Sequence, residues 1–304
     1  MHDDKLIVVA GATGQQGGAT GNHLLERGFR VRGLTRNLSS KASAELRDAG
    51  AETVEVDLFD PDALRPVLEG AYGVFSVQNF WLPDVGYEGE IKQGKNLADA
   101  ALAANVSHFV YSSVGGAERD SHVPHFESKW VIERHIAEIG LPTTVLCPTS
   151  FMENNLWNRD AIMSGTYPSM GIHPAKTLQL IAVDDIGVFA AIAFSRPNEF
   201  MGKAFELAGD ELTEEQMAEV FGRVTGRSIM LDRSRPEWAL EPNEEMAAMV
   251  KWFNEHGYEA DIEALRKVHP TLKTLEEWAR EAGFEGDEEE HAAPLDFGRS
   301  SLDL

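Results

Sequence analysis

The sequence predicts an α/β fold, a doubly wound parallel sheet with a smaller mixed α/β C-terminal region. Three observations carry this. Short apolar runs alternate with helical stretches through the first half of the chain. Those runs are continuously apolar rather than alternating, the pattern of strands buried on both faces. The first run ends in a glycine-rich turn that leads straight into a helix. Strands at this spacing with helices between them imply parallel βαβ units.

Taken in order, the strand-like runs are Leu6–Ala10, Arg30–Thr35, Thr53–Val56, Gly73–Val77, His108–Ser112 and Thr143–Cys147. Helical stretches fill the gaps at Gly17–Arg27, Lys41–Ala49, Pro61–Glu69, Tyr87–Ala104 and Phe126–Ile139. After Cys147 the rhythm loosens. Ile181–Asp185 reads as a further strand leading into a helix over Ile186–Phe194, and Ala204–Leu207 as another strand. A helix over Thr213–Thr225 is signalled by Thr213 as N-cap with Gln216 in the capping-box position. Helices over Pro242–Glu255 and Leu275–Ala282 complete the smaller region. This divides the chain into residues 1–150, residues 151–285 with segments able to return to the sheet, and an acidic tail, Gly286–Leu304, expected to lie on the surface or be disordered.

The chain has 304 residues, one cysteine, and 50 acidic against 27 basic residues for a net charge of −23. Such a field repels phosphate backbones, so direct nucleic-acid binding is not expected. The charge fits either plain solubility or a salt-adapted source. Cys147 alone allows no internal disulfide, and acids near the N-terminus replace the basic region of a signal peptide. The apolar run IGVFAAIAF is too short to span a bilayer. A cytoplasmic protein without membrane association is expected, and no metal site.

The turn after the first strand reads Gly11-Ala12-Thr13-Gly14-Gln15-Gln16-Gly17. One glycine permits the tight turn, a second lets the backbone approach a pyrophosphate, and a third lets helix pack on strand. The helix start then offers free N–H groups to the phosphates. This is the context of a Rossmann dinucleotide site. An NAD-preferring site places an acid about 20 residues past the glycines, at the end of the second strand. Here Arg36 stands 19 residues after Gly17, followed by Asn37 and Lys41. A guanidinium there can grip a 2′-phosphate with two hydrogen bonds, so NADP(H) is the expected cofactor and NAD(H) the weaker one. Asp57, closing the third strand, is placed to meet the adenine. Gln78, Asn79 and Phe80, after the fourth strand, should lie beside the nicotinamide half, where aromatics are either pocket wall or core.

On the fifth helix His125 and Lys129 are four apart and share a face with Ile132, Ile136 and Ile139. Lys129 is thus either snorkelling to the surface or held by a ligand. A histidine at a helix start is either a hydrogen-bonded structural residue or a proton donor of suitable pKa.

The segments VVAGATGQQGG, LTRN, EIKQGKNLADAA, HFVYSS, HFESK, PTSFMENN, VDDIG and GYEADIEALRKVHPTLKTLEEWA together resemble the NmrA-like family of atypical short-chain dehydrogenases, over nearly the whole chain except the tail. Short-chain dehydrogenases carry a Tyr-x-x-x-Lys pair and a serine at the end of the preceding strand. The resemblance maps that serine onto Ser112, beside Ser113, and the lysine onto Lys129, as a ribose ligand or catalytic group. His125 stands where the tyrosine would be. Pro148, in Cys147-Pro148-Thr149 where many relatives read Arg-Pro-Gly, and Phe151 map to the nicotinamide edge. The family contains redox-sensing regulators that signal to a protein partner and reductases of small electrophiles. The histidine resembles a sensor branch with a human member. The resemblance therefore implies a redox-responsive NADP(H) sensor or regulator with little or no turnover; the alternative is an NADPH-dependent reductase of a quinone, imine or carbonyl. A regulatory protein partner or a small-molecule substrate would follow respectively.

Overall fold

In the computed structural model, which describes residues 4–234 and 243–285, the βα alternation of the first half is realised almost residue for residue. The elements are β1 (Leu6–Val9), α1 (Gln15–Glu26), β2 (Arg30–Thr35), α2 (Lys41–Asp48), β3 (Glu52–Glu55), α3 (Pro61–Leu68), β4 (Gly73–Ser76), α4 (Gly86–Ala103), β5 (His108–Ser112), α5 (Pro124–Glu138) and β6 (Thr143–Pro148). Local chemistry sets several boundaries. Ser40 caps α2 by accepting from the Ser43 N–H, and Asp60 caps α3, which has Pro61 in its first turn.

The second part contains β7 (Ser150–Phe151), a 3₁₀ helix (Met152–Asn158), α6 (Arg159–Met163), β8 (Thr166–Pro168), β9 (Leu178–Ile181), α7 (Val183–Ser195), α8 (Pro197–Phe200), β10 (Ala204–Leu207), β11 (Asp210–Leu212), α9 (Glu214–Thr225), β12 (Met230–Asp232), α10 (Glu244–Glu255), α11 (Ile262–Val268) and α12 (Leu275–Glu281). β10 crosses back to pair with β6, giving a seven-stranded parallel sheet in the order β10-β6-β5-β4-β1-β2-β3. Sheets β11-β9-β7 and β12-β8 complete the smaller region. The order reverses between β1 and β4, the switch point outside which open α/β sheets bind ligands.

One core, with Leu24, Leu46 and Ile186 among its members, lies under α1, α2 and α7; another, with Leu64, Leu97 and Ile132, lies under α3, α4 and α5. A third fills the C-terminal region around Phe221, Trp252 and Trp278 and draws in Phe126 from α5. Because α7 is apolar on every side from Ile186 to Phe194, it lies inside, against β5 and β6 of the sheet and packed alongside α1. Gly187 makes that approach possible, since a Cβ there would stand 2.6 Å from the Ala19 carbonyl carbon. No helix among the described residues is long and apolar enough to cross a membrane.

The expected strand over Ile181–Asp185 is corrected. β9 ends at Ile181 and α7 begins at Val183, because the Glu153 carboxylate accepts the Val183 N–H at 3.1 Å from both oxygens. Asp184 and Asp185 are then first-turn acids, favoured at a helix N-terminus. The acidic stretch 286–304 and Pro242 lie outside the described residues.

Candidate functional site

Gly11 adopts φ +61°, a left-handed conformation that a side chain disfavours, and its added Cβ would touch Val77 at 3.0 Å. Gly17 is held tighter still: a Cβ would lie 2.2 Å from the Gly11 oxygen. The N-cap of α1 is Gly14, with no side chain to cap the helix and no acid in the first turn. The first-turn N–H groups at Gln15, Gln16 and Gly17 therefore face outward without an internal anion, a geometry suited to phosphate oxygens. Beside the turn, Thr13, Gly14 and Asn22 line a groove of about 380 Å³ with Ala42, Glu45 and Leu46 of α2.

At the end of β2, Arg36 bonds Asp84 at 3.2 Å from the loop after β4. Lys41, in the first turn of α2, pairs with Glu45 at 3.3 Å on the same helix. Asn37 accepts the Ser39 N–H and donates its own N–H to Thr35, which shapes the link to α2. Asp57 is exposed and accepts the Phe59 N–H at 2.9 Å. After β4, Gln78 is 6% exposed and donates to Ser76, yet its carbonyl oxygen has no partner. Asn79 accepts the Trp81 N–H at 3.0 Å, and the Phe80 and Trp81 rings both pack on His125. The uncapped helix start, the glycine cradle and the orphaned Gln78 oxygen together fit a polar, phosphate-bearing ligand lying over β1 and β4.

Around α5, His125 is not free. Its Nδ1 is hydrogen-bonded to Glu245 of α10, which also accepts the His125 backbone N–H at 3.1 Å. Phe80, Trp81 and Phe126 surround the ring at centroid distances of 5.8, 5.1 and 4.7 Å. Lys129 turns to α4, its Nζ 2.8 Å from Glu90, a carboxylate with no exposed side-chain surface. The other Glu90 oxygen accepts the Ser128 hydroxyl. One turn on, burial pushes the Glu133 carboxyl up to about 7, outweighing the Ser113 hydroxyl and Lys129, which pull it down.

Ser112, which ends β5, and Ser113, which follows it, point to opposite faces. Ser112 donates to Gln16 of the glycine turn at 2.6 Å, whereas Ser113 donates to Glu133 on α5. The structure thus joins Ser112 to the glycine turn, and Ser113 to the helix that carries Lys129. Pro148 ends β6 in the core and Phe151 lies half-buried in β7. Burial drives the Cys147 thiol upward, so it is not a reactive thiolate.

Sequence reasoning missed Asp84, Glu90, Glu133 and Glu245. Each lies far along the chain from its partner or, for Glu133, draws its character from burial. Only the i,i+4 spacing of Lys129 and Glu133 offered a signal. The VDDIG segment proves to be a clamp. Asp184 binds His23 at 2.7 Å and Lys273 at 3.1 Å, and Asp185 binds His269 at 2.7 Å and the Lys273 N–H at 3.0 Å. Hydrogen bonding to His23 holds Asp184 below the usual carboxylate range.

The model of the NmrA-like family matches residues 3–279. An NmrA-like family domain-containing protein of Dictyostelium discoideum is 27% identical over 305 residues, covering 93% of this chain and 99% of that one. An NmrA-like family domain-containing oxidoreductase of Aspergillus hancockii is 31% identical over 247 residues, covering 73% of each. Among solved structures, the negative transcriptional regulator NmrA in complex with NADP superposes with a TM-score of 0.77 at 21% identity, covering 92% of this chain and 95% of that one. With the family model spanning most of its length, the chain belongs to the NmrA-like family.

Proposed function

We propose that the chain binds NADP(H) in preference to NAD(H) and serves as a redox-responsive sensor or regulator with little or no turnover. The first-turn N–H groups of α1 would receive the pyrophosphate, and Arg36, Asn37 and Lys41 the 2′-phosphate. Asp57 would meet the adenine. Gln78, Asn79, Phe80, Pro148 and Phe151 would flank the nicotinamide, with Lys129 at its ribose. When bound, the nicotinamide would supply or accept a hydride. NmrA, a regulator solved with NADP and also with NAD, supports a nicotinamide dinucleotide here.

One observation carries the low-turnover reading. His125, where short-chain dehydrogenases carry the tyrosine, has its Nδ1 committed to Glu245 and its ring enclosed by three aromatics. Carbonyl reduction needs a proton delivered as hydride arrives, and general-acid help is worth roughly 10²–10⁴-fold. A regulator of this kind would act through a protein partner, since a net charge of −23 opposes duplex DNA. The test measures NADPH binding by fluorescence, then NADPH oxidation over a quinone and carbonyl panel, for wild type, His125→Ala and Lys129→Ala. Stoichiometric binding with no turnover is expected, with affinity lost only in Lys129→Ala.

The second reading, a reductase of a small electrophile, is favoured by the retained Lys129 and by relatives named as oxidoreductases. Robust wild-type turnover that collapses in either variant would install it instead.

A further inference from the structure

We propose that Asp84 sets how strongly the protein distinguishes NADP(H) from NAD(H), by competing with the 2′-phosphate for Arg36; this rests on the dinucleotide reading above. The strand order puts β1 between β2 and β4. Arg36 directly follows β2, and Asp84 belongs to the loop that follows β4. Their 3.2 Å contact therefore reaches across the end of β1, over the turn whose N–H groups await an anion. Strands lie about 4.8 Å apart, so the pair closes a gap of roughly two strand spacings.

The loop holds Asp84 there by its own hydrogen bonds. The Val85 N–H donates to the Leu82 oxygen at 2.9 Å, and the Gly86 N–H to the Phe80 oxygen at 3.1 Å. Arg36 is 53% and Asp84 64% exposed, so water screens the pair and a ligand can exchange it. A 2′-phosphate offers Arg36 a charge-assisted, bidentate partner, stronger than the single contact it replaces. Taking that partner costs the Asp84 contact and leaves a carboxylate beside a dianion. A 2′-hydroxyl makes no such demand, and the pair persists. Both penalties fall on NADP(H) alone, so Asp84 lowers a preference that Arg36 creates.

The experiment compares NADPH and NADH dissociation constants, by fluorescence titration at fixed ionic strength, for wild type, Asp84→Asn, Arg36→Ala, the double variant Arg36→Ala/Asp84→Asn, and Glu138→Gln. The last removes one negative charge at the far end of α5 and reports the bulk field. Asp84→Asn is expected to tighten NADPH about three- to ten-fold, the size of an exposed ion pair and its repulsion, and to move NADH less than about twofold. In the Arg36→Ala background the share of the gain that comes from competition for Arg36 should vanish, leaving only the smaller share from repulsion between carboxylate and phosphate; an undiminished gain there overturns the proposal. The proposal is overturned if Asp84→Asn weakens NADPH or leaves it unchanged, tightens both cofactors alike, or gains no more than Glu138→Gln. Failure of the wild type to bind either dinucleotide would overturn the cofactor reading itself, a result distinct from wild-type binding that Asp84 does not alter.

Discussion

Arg36 reaches Asp84 at 3.2 Å and Lys129 reaches Glu90 at 2.8 Å, two similar ion pairs in unlike surroundings. The first is more than half exposed on both sides; the second keeps 12% exposure at the lysine and none at the glutamate. In water a charge pair is worth about 0–1 kcal/mol, so Arg36 can be taken by a ligand at little cost. Inside the protein, removing one partner strands the other, at about 3–5 kcal/mol. The difference assigns unlike roles to two bases that look alike in sequence. Arg36 is free to exchange its partner for a ligand, as the proposed 2′-phosphate contact requires, whereas Lys129 is held by Glu90 between α4 and α5, from where it would meet the proposed ribose.

The largest effect should come from splitting the buried pair. Glu90→Ala is expected to cost about 3–5 kcal/mol in urea unfolding, against less than about 1 kcal/mol for Asp84→Ala. Replacing both buried partners, as Glu90→Gln with Lys129→Met, should recover most of the loss, because no lone charge remains inside. Similar losses for Glu90→Ala and Asp84→Ala would erase the distinction between the two pairs.

Next comes the exposed side. Arg36→Ala should weaken NADP(H) by about 1.5–3 kcal/mol, the worth of a hydrogen bond to a charged group, and leave both NAD(H) affinity and unfolding stability nearly unchanged. A loss shared equally between the two cofactors would mean that Arg36 supports the site rather than reads the phosphate.

How much of this was legible depended on whether the signal was local. Arg30–Thr35 is a strand and Thr213 with Gln216 forms a capping box, as their own spacing announces. The glycine turn declares itself because its backbone conformation needs glycine. By contrast, Ile181-Ala182-Val183 has good strand chemistry, yet Glu153 from 30 positions earlier starts a helix there. The short strands β8 and β12 were missed for a related reason: three residues carry too little pattern, and each exists through pairing with the other. In the candidate site the bases were legible and their acids were not. Asp84 and Glu245 sit in segments with no motif, Glu90 opens a segment whose resemblance said nothing of its partner, and only the folded chain joins these acids to Arg36, His125 and Lys129.

The smallest effect tests the buried side by pH. Burial raises Glu133, beside Lys129 on α5, to about 7, and raises Glu153, under α7, to about 7 as well. Both carboxyls ordinarily titrate near 4.5, so the folded chain keeps protons that the unfolded chain has already released. Each group's contribution is therefore fully present below about pH 4.5 and is lost as pH rises through about 7. Within that window the slope approaches 1.4 kcal/mol per pH unit for each group, so about 1 kcal/mol apiece should disappear between pH 6 and pH 7. Glutamine carries no titrating proton, so Glu133→Gln should make the decline shallower by one group's share and the double variant with Glu153→Gln by two, while His108, which burial lowers to about 4, adds stability with rising pH up to about 6.5 in all of them. Urea midpoints measured every half unit from pH 5 to 8 decide the matter. A Glu133→Gln or double-variant profile no shallower than that of the wild type would mean that water reaches these acids, and the contrast between the buried and exposed sides of the site would fail with them.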